Sequence, residues 1–316
     1  MRLGVDPKVD YAFKWLYGQP TRSHLLVSLL NALLRLPDGR KIENLLILNP
    51  YNEKAKLDDK LSILDIKAED NQKRLYDIEM QLQLAPNTPE RIIYYWARLY
   101  SEQLTEADPY ADLRRTISIL LIDQPVFPDV EDYHLHFELR DKNHSVRLSD
   151  ALSIHVVQLP HFQLTADELK TQEERWLYFL RHASQLDMQA IPEQLEQPEI
   201  QEAMTQLRQM TLNDEERERY EARMKTLQYQ ATWARGIEKA QEERDAAIEE
   251  RDSVKADLRS FHEKLREVTN IHNHQKQQGV ETSSAEELMA KSLGELKTMA
   301  AQLEKQSQAG DQSAPT

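Results

Sequence analysis

Apolar residues recur at helical spacing in "TRSHLLVSLLNALLRL", residues 21–36, where Leu25, Leu26, Leu29, Leu30, Leu33 and Leu34 fall on one broad face. Thr21 or Ser23 is placed to cap this helix, and Pro37-Asp38-Gly39 ends it. The period then drops from about 3.6 to 2. "IENLLILNP" reads as a short buried strand stopped at Asn49-Pro50, and "SILDIKA" as a second. "RLYDIEMQLQ" reads as a third, joined to the second by the polar turn "EDNQK". In the third strand Tyr76, Ile78, Met80 and Leu82 alternate with Asp77, Glu79, Gln81 and Gln83. A helix follows in "TPERIIYYWARLYSEQLTE", with Thr88 as N-cap, Pro89 in its first turn, and Ile92, Tyr95, Leu99 and Gln103 along one stripe. Three more strands are expected in "RTISILLID", "DYHLHFELR" and "LSIHVVQLP". Helix, three strands, helix and further strands predict an α/β sheet flanked by helices.

Around Pro160 the strand signals stop. "DELKTQEERWLYFLRHAS" is an amphipathic helix carrying Leu169, Trp176, Leu177 and Leu180, and "IPEQLEQPEIQEAMTQLRQM" holds one or two more. From Asp214 to about Gln278 the chain is dominated by Glu, Arg, Lys, Gln and Ala. There Trp233, Ala240, Ala247, Val254, Leu258, Phe261, Leu265 and Val268 share one heptad register that Arg244 and Arg251 interrupt. This weak coiled-coil pattern predicts self-association as a homodimer through the C-terminal helix. "SAEELMAKSLGELKTMAAQLEKQ" predicts one last short helix and "SQAGDQSAPT" a disordered tail. The expected organisation is an α/β domain over 1–165, a helical segment over 166–212, a charged long helix or coiled coil over 213–278, and a short helix with a tail over 279–316.

Composition narrows the chemistry. The chain has 316 residues and no cysteine, which excludes disulfides and thiolate metal sites. The N-terminal "MRLGVDPKVDYAF" has no signal-peptide pattern and no window is apolar enough to span a bilayer, so a cytoplasmic location is expected, with no membrane partner. The net charge of −14 looks unfavourable for nucleic acid, but it is unevenly spread. Residues 1–165 carry 20 basic and 24 acidic side chains, and residues 166–316 the other 20 and 30.

Candidate chemistry centres on Asp65 and Glu79, carboxylates in two neighbouring strands that a hairpin could lay side by side. Such a pair is either a solvated strand face or the ligand set of one hard cation, which takes carboxylates, waters and a phosphate oxygen. In the second reading Gln81 orients water and Lys67 meets phosphate charge. Tyr94, Tyr95, Trp96 and Tyr100 crowd one helix and are expected to pack rather than to stack on bases. Arg91 and Arg98 on that helix could meet phosphate or solvent. The "HNH" run at His272–His274 sits in a polar helix without a strand context. His134, His136 and His155 look scattered and structural. No phosphate-binding glycine loop and no nucleophile-elbow motif is present.

Three blocks, "DPKVDYAFKWLYG", "ILDIKAEDNQKRLYDIEMQ" and "RIIYYWARLYSEQL", together resemble the Rpn family of recombination-promoting nucleases and transposases within the PD-(D/E)XK superfamily. The resemblance covers roughly residues 4 to 160. It implies a restriction-endonuclease-like fold with a mixed sheet flanked by helices, here followed by an α-helical, partly coiled-coil extension. It also implies a Mg²⁺-dependent endonuclease, with Mn²⁺ as substitute, acting on DNA in recombination or mobile elements. Asp65 stands at the Asp of the "PD" element, Glu79 at the acidic position of (D/E)XK, and Gln81 at the Lys position. Leu64 replaces the Pro, and a Gln carries no charge, so the Lys role passes to Lys67 or is dispensed with. Asp10 is either a third metal ligand or a residue of the first helical turn. The alternative is a catalytically degenerate member that binds DNA or protein through its helical tail.

Overall fold

The structure, a computed structural model, describes residues 2–48, 66–277, 279 and 282–311. Asp65 lies outside the described residues. The chain divides into two compact units, Met1–Gln228 and Tyr229–Thr316.

The first unit opens with α1 (Asp10–Tyr17) and α2 (Ser23–Leu34). Of the leucines of α2 that share a face in the sequence, Leu25, Leu26, Leu29, Leu30 and Leu33 are buried and Leu34 is half-buried against the same core. Arg35 ends α2 in a left-handed conformation, φ 47°. Three short strands follow, β1 (Leu45–Ile47), β2 (Ile66–Asp70) and β3 (Leu75–Gln81), then α3 (Thr88–Ser101). Next come β4 (Thr116–Ile122), β5 (His134–Phe137) and β6 (Leu152–Gln158). The six strands form one mixed sheet in the order β1-β2-β3-β4-β6-β5. β1, β2 and β3 are antiparallel neighbours, β4 lies parallel to β3 and β6 parallel to β4. The parallel step from β3 to β4 requires a crossover, which α3 supplies.

β2 runs to Asp70, two residues beyond the end expected from its apolar pattern. The reason is the turn: the Asp70 carboxylate accepts the backbone N–H groups of Gln72 and Arg74, the Tyr76 hydroxyl at 2.9 Å and the Arg74 guanidinium at 2.5 Å. A buried charge with this many donors stays in the sheet rather than in a solvated turn. At α3 the N-cap is Asn87, in a left-handed conformation, and not Thr88, whose hydroxyl donates back to the Ala85 carbonyl.

The two faces of the sheet are covered differently. Tyr76, Ile78, Met80, Ile117, Ile119 and Val157 point into the main core. That core also takes residues from α1, α2, α4 (Gln172–His182) and α5 (Pro198–Leu212). Phe13, Tyr17, Trp176 and Phe179 form a chain of edge and tilted ring contacts with centroids 4.8, 6.0 and 5.7 Å apart. Residues 166–212, set apart in the sequence by composition, therefore fill the same core as the sheet, and the break in packing comes at 228 rather than near 165. On the opposite face α3 lays Ile92 and Trp96 over Leu120, Ile122, Ile154 and Val156, and the Trp96 indole N–H donates to the Thr116 carbonyl at 2.9 Å.

The three histidines that look scattered in the sequence meet at the sheet edge. The His134 and His155 rings bond at 2.9 Å, His155 stacks on His136 with centroids 4.2 Å apart, and the Ser153 hydroxyl bridges His136 and His155. His134 also bonds the buried Glu173 of α4, to which Arg35 donates from the end of α2. Antiparallel pairing of β5 with β6 sets His136 opposite His155, which sequence distance hides.

The helix α6 (Asp214–Gln277) begins in the first unit and continues through the second. In the second unit its last turns bury Val268 and Ile271 against Leu288 of α7 (Ala285–Met289) and Leu296 of α8 (Leu293–Asp311). The single last helix expected from sequence is thus two, and helix continues to Asp311 within the stretch read as a tail. Ser284 and Glu287 form a capping box that starts α7.

Candidate active site

The polar face of β3 is the face that α3 only partly covers. Along it lie Asp77, Glu79 and Gln81, each separated by one core residue, as the period of a strand dictates. The β2–β3 register sets Lys67 opposite Asp77 and Ile66 opposite Ile78. The β3–β4 register sets Ser118 beside Asp77, Leu120 beside Glu79 and Ile122 beside Gln81. One row of this face therefore reads Lys67, Asp77, Ser118 across three strands. Glu79 stands one row further along, diagonal to Lys67, a relation that places side chains about 7 Å apart.

Glu79 and Gln81 are half-buried, whereas Asp77 is buried. The Gln81 amide N–H donates to Glu79 Oε2 at 2.8 Å. The Ser118 hydroxyl donates to Asp77 Oδ2 at 3.3 Å. Lys67 Nζ reaches Glu102 Oε2, at the end of α3, at 3.5 Å, and the other oxygen of Glu102 accepts from Arg98 at 2.7 Å. The Arg98 hydrogen bond, against a smaller desolvation effect, pulls the Glu102 carboxyl below its ordinary range. This chain of charges ties the C-terminus of α3 to β2 and leaves a basic group beside the row that holds Glu79.

The open end of the strand is tied down by the N-terminal segment. The Asp123 backbone N–H donates to the Gln81 carbonyl, and the Lys8 ammonium donates to Asp123 at 2.7 Å. Asp6 lies within 3.7 Å of the same ammonium, and burial raises its pKa. The first turns of α6 hold this segment from the other side. Tyr220 accepts the Asp6 backbone N–H, Glu216 accepts the Tyr11 hydroxyl, and Arg223 pairs with Asp10 at 2.7 Å. Glu216, Tyr220 and Arg223 recur at helical spacing along one stripe of α6.

The sequence-derived residues thus separate. Glu79, Gln81 and Lys67 share one face of the sheet. Asp10 belongs to α1, whose apolar side chains pack on the opposite face, and its carboxylate is engaged by Arg223. Asp77 and Ser118 complete the row beside Lys67 but had no chemical signature of their own; only the pairing of β3 with β4 assembles it. Glu102 had none either. On α3, Tyr94 is exposed rather than packed, while Trp96 is partly buried and stacked on Tyr100 at 5.0 Å. Arg91 lies over the Tyr95 ring. His274, of the "HNH" run, bonds the Asn270 carbonyl within its own helix.

The donor set on β3 is oxygen only, the kind a hard divalent cation takes. Among the described residues no three His, Asp or Glu side chains converge to hold a metal ion. Glu79 is a half-buried carboxylate of this face, and Asp65 directly precedes Ile66, the β2 residue paired with Ile78. The residues fit a shared cation to this extent: a carboxylate and an amide oxygen at the accessible part of the strand, next to a cationic side chain.

A mixed sheet with helices on both faces and an α3 crossover is consistent with the restriction-endonuclease-like fold class. Over residues 7–240 the chain matches the PD-(D/E)XK nuclease family transposases, and it belongs to that family. The matched region takes in α4, α5 and the start of α6, in keeping with their share in the core. No curated protein and no solved structure matches the chain. Nucleases of this superfamily use divalent metals and act on DNA. No helix among the described residues is long and apolar enough to cross a membrane.

Proposed function

We propose that the protein is a Mg²⁺-dependent endonuclease that hydrolyses phosphodiester bonds in DNA at the polar face of β3. The observation that carries this reading is Glu79, half-buried on that face, hydrogen-bonded by Gln81 and diagonal to Lys67 in the fold of a nuclease family. Glu79 and Asp65 would hold the metal. When bound, the cation lowers the pKa of a water and neutralises charge developing on phosphorus. Gln81 holds the Glu79 carboxylate in a fixed orientation, so the ligand is preorganised. Lys67 supplies the positive charge that the Lys of (D/E)XK would otherwise bring, meeting a phosphate oxygen. Asp10 serves chiefly to anchor α1 to α6, since Arg223 already neutralises it. Mn²⁺ would substitute for Mg²⁺. The family's description as transposases supports a role in mobile elements, and the resemblance to recombination-promoting nucleases extends the proposal to recombination.

Plasmid cleavage tests the reading directly. Wild-type protein should cut with Mg²⁺ or Mn²⁺ and stop in excess EDTA, and Asp65→Ala and Glu79→Ala should each be inactive. Cleavage by Glu79→Ala at the wild-type rate would refute the site.

A second reading follows from Gln81. A neutral amide at the Lys position, already committed to Glu79, suits a member that binds DNA or a partner without cutting it. In that case Mg²⁺ would produce no cleavage, and DNA binding would survive Glu79→Ala.

A further inference from the structure

Residues 232–263 of α6 form about nine turns in which every side chain is exposed. A single helix this long and this polar has little to stabilise it in water, because helical stability in proteins comes mainly from burying one face. A face is available. Trp233, Ile237, Ala240, Arg244, Ala247, Arg251, Val254, Leu258, Phe261 and Leu265 follow one another at alternating intervals of four and three. The apolar side chains among them stay largely exposed, Trp233 at 74%, Val254 at 60% and Leu258 at 53%. Val268 is next in the series, and α7 and α8 cover it, so the open seam ends at Leu265.

We propose that this seam pairs with the same seam of a second copy, as a parallel, in-register, two-stranded coiled coil over about residues 233–265. Charge decides both the occupant and the direction. In heptad terms Ile237, Arg244, Arg251, Leu258 and Leu265 take position a, and Trp233, Ala240, Ala247, Val254 and Phe261 take position d. In a parallel pair each a side chain packs against the partner residue that precedes its own counterpart. For Arg244 that residue is Glu243 and for Arg251 it is Glu250. Each seam arginine therefore meets a carboxylate from the other chain, and two guanidinium groups in the core are neutralised in register. The flanks agree: Glu250 comes opposite Lys255, and Asp257 opposite His262. An antiparallel pair would set Glu243, Glu250 and Asp257 against one another along one flank. Among the described residues of one chain the arginines pair with the exposed next residue, Arg244 with Asp245 and Arg251 with Asp252, contacts they can exchange for a partner's carboxylate. Small alanines at 240 and 247 leave room beside the arginine stems.

This proposal is independent of the nuclease assignment, because its readouts are mass and cross-linking. The full chain should be a dimer by light scattering at micromolar concentration. The chain has no cysteine, so single cysteines report geometry cleanly. Ala240→Cys and Val254→Cys should each form an interchain disulfide on mild oxidation, and Ala256→Cys, on the outer face, should not. An antiparallel pair can bring at most one of the first two positions against its own copy. The charge swap E243R/E250R should raise the dimer dissociation constant at least tenfold, and adding R244E/R251E should restore it, with helix content by circular dichroism unchanged. A monomeric full chain, cross-linking at only one or neither seam position, or a charge swap without effect would each overturn the proposal.

Discussion

His155 gives the folded state a pH dependence whose size can be worked out in advance. Its ring is buried against His136 and His134 of β5, and desolvation first, then those neighbouring histidines, lowers its pKa from the ordinary 6.5 to about 2. A base whose pKa is depressed on folding stays neutral in the native state while the unfolded chain takes up the proton. Stability is then fully present above about pH 6.5 and is lost as the pH falls below it. From about pH 7.5 to about pH 5.5 the loss is about 1.4 kcal/mol from this group, a figure set by the unfolded value as long as the native pKa lies well below the range. His136 and His182 are shifted the same way and add to the total, so the His155 part must be isolated by difference. The perturbation is His155→Asn, with His155→Gln as a second replacement that presents its polar atoms differently. Urea unfolding of each protein, followed by tryptophan fluorescence at both pH values, gives the change in stability with pH. Either variant is expected to be less stable than wild type at pH 7.5, because Ser153 and His134 lose a partner, yet to fall less on acidification by about 1.4 kcal/mol. Equal pH dependence in wild type and both variants would refute the assignment of a neutral, buried His155.

Other outcomes are equally concrete. Glu79→Ala is expected to abolish Mg²⁺-supported cleavage with a melting temperature unchanged or higher, since two carboxylates that share a cation, as proposed for Glu79 and Asp65, repel one another without it; plasmid nicking and calorimetry on the same preparation check both halves. Gln81→Ala should reduce cleavage less than Glu79→Ala, and Lys67→Ala should weaken it while leaving metal binding intact, as single-turnover rates and metal titration would show. Asp10→Asn should cost about 0.5–1 kcal/mol of stability, and Arg223→Gln in the same chain should add little, because both remove one partly exposed ion pair; a loss of metal affinity in Asp10→Asn would instead make it a ligand. Trp176→Ala should cost about 3–5 kcal/mol, and a chain ending at 165 should fail to fold where one ending at 228 folds, as circular dichroism would report.

What the sequence determines by itself is local and periodic. The leucine face of α2 and the alternation of β3 are legible because burial on one face repeats at the period of the element, and the runs that become β4 and β6 because both faces of those strands are buried. Alternation along β3 also puts Asp77, Glu79 and Gln81 on one side without any knowledge of the fold. The heptad series of α6 is legible from the spacing of its apolar residues alone, and the structure leaves most of it uncovered. What the tertiary structure decides is which distant residues become neighbours. Strand register brings His134 and His136 to His155 and sets Lys67 and Ser118 on either side of Asp77, and nothing in the spacing of these residues encodes it. Packing of Trp176 against Tyr17 of α1 and Ser28 of α2 draws residues 166–212 into the core of the sheet, although the strand signals stop before them. Asp10 shows the limit most plainly: a carboxylate in a first helical turn reads the same whether it binds a metal or an arginine, and Arg223, 213 residues away, takes it up only because α6 folds back along the N-terminal segment. Long-range pairing is set by the burial of whole faces, a property of the assembled core that no short window of sequence contains.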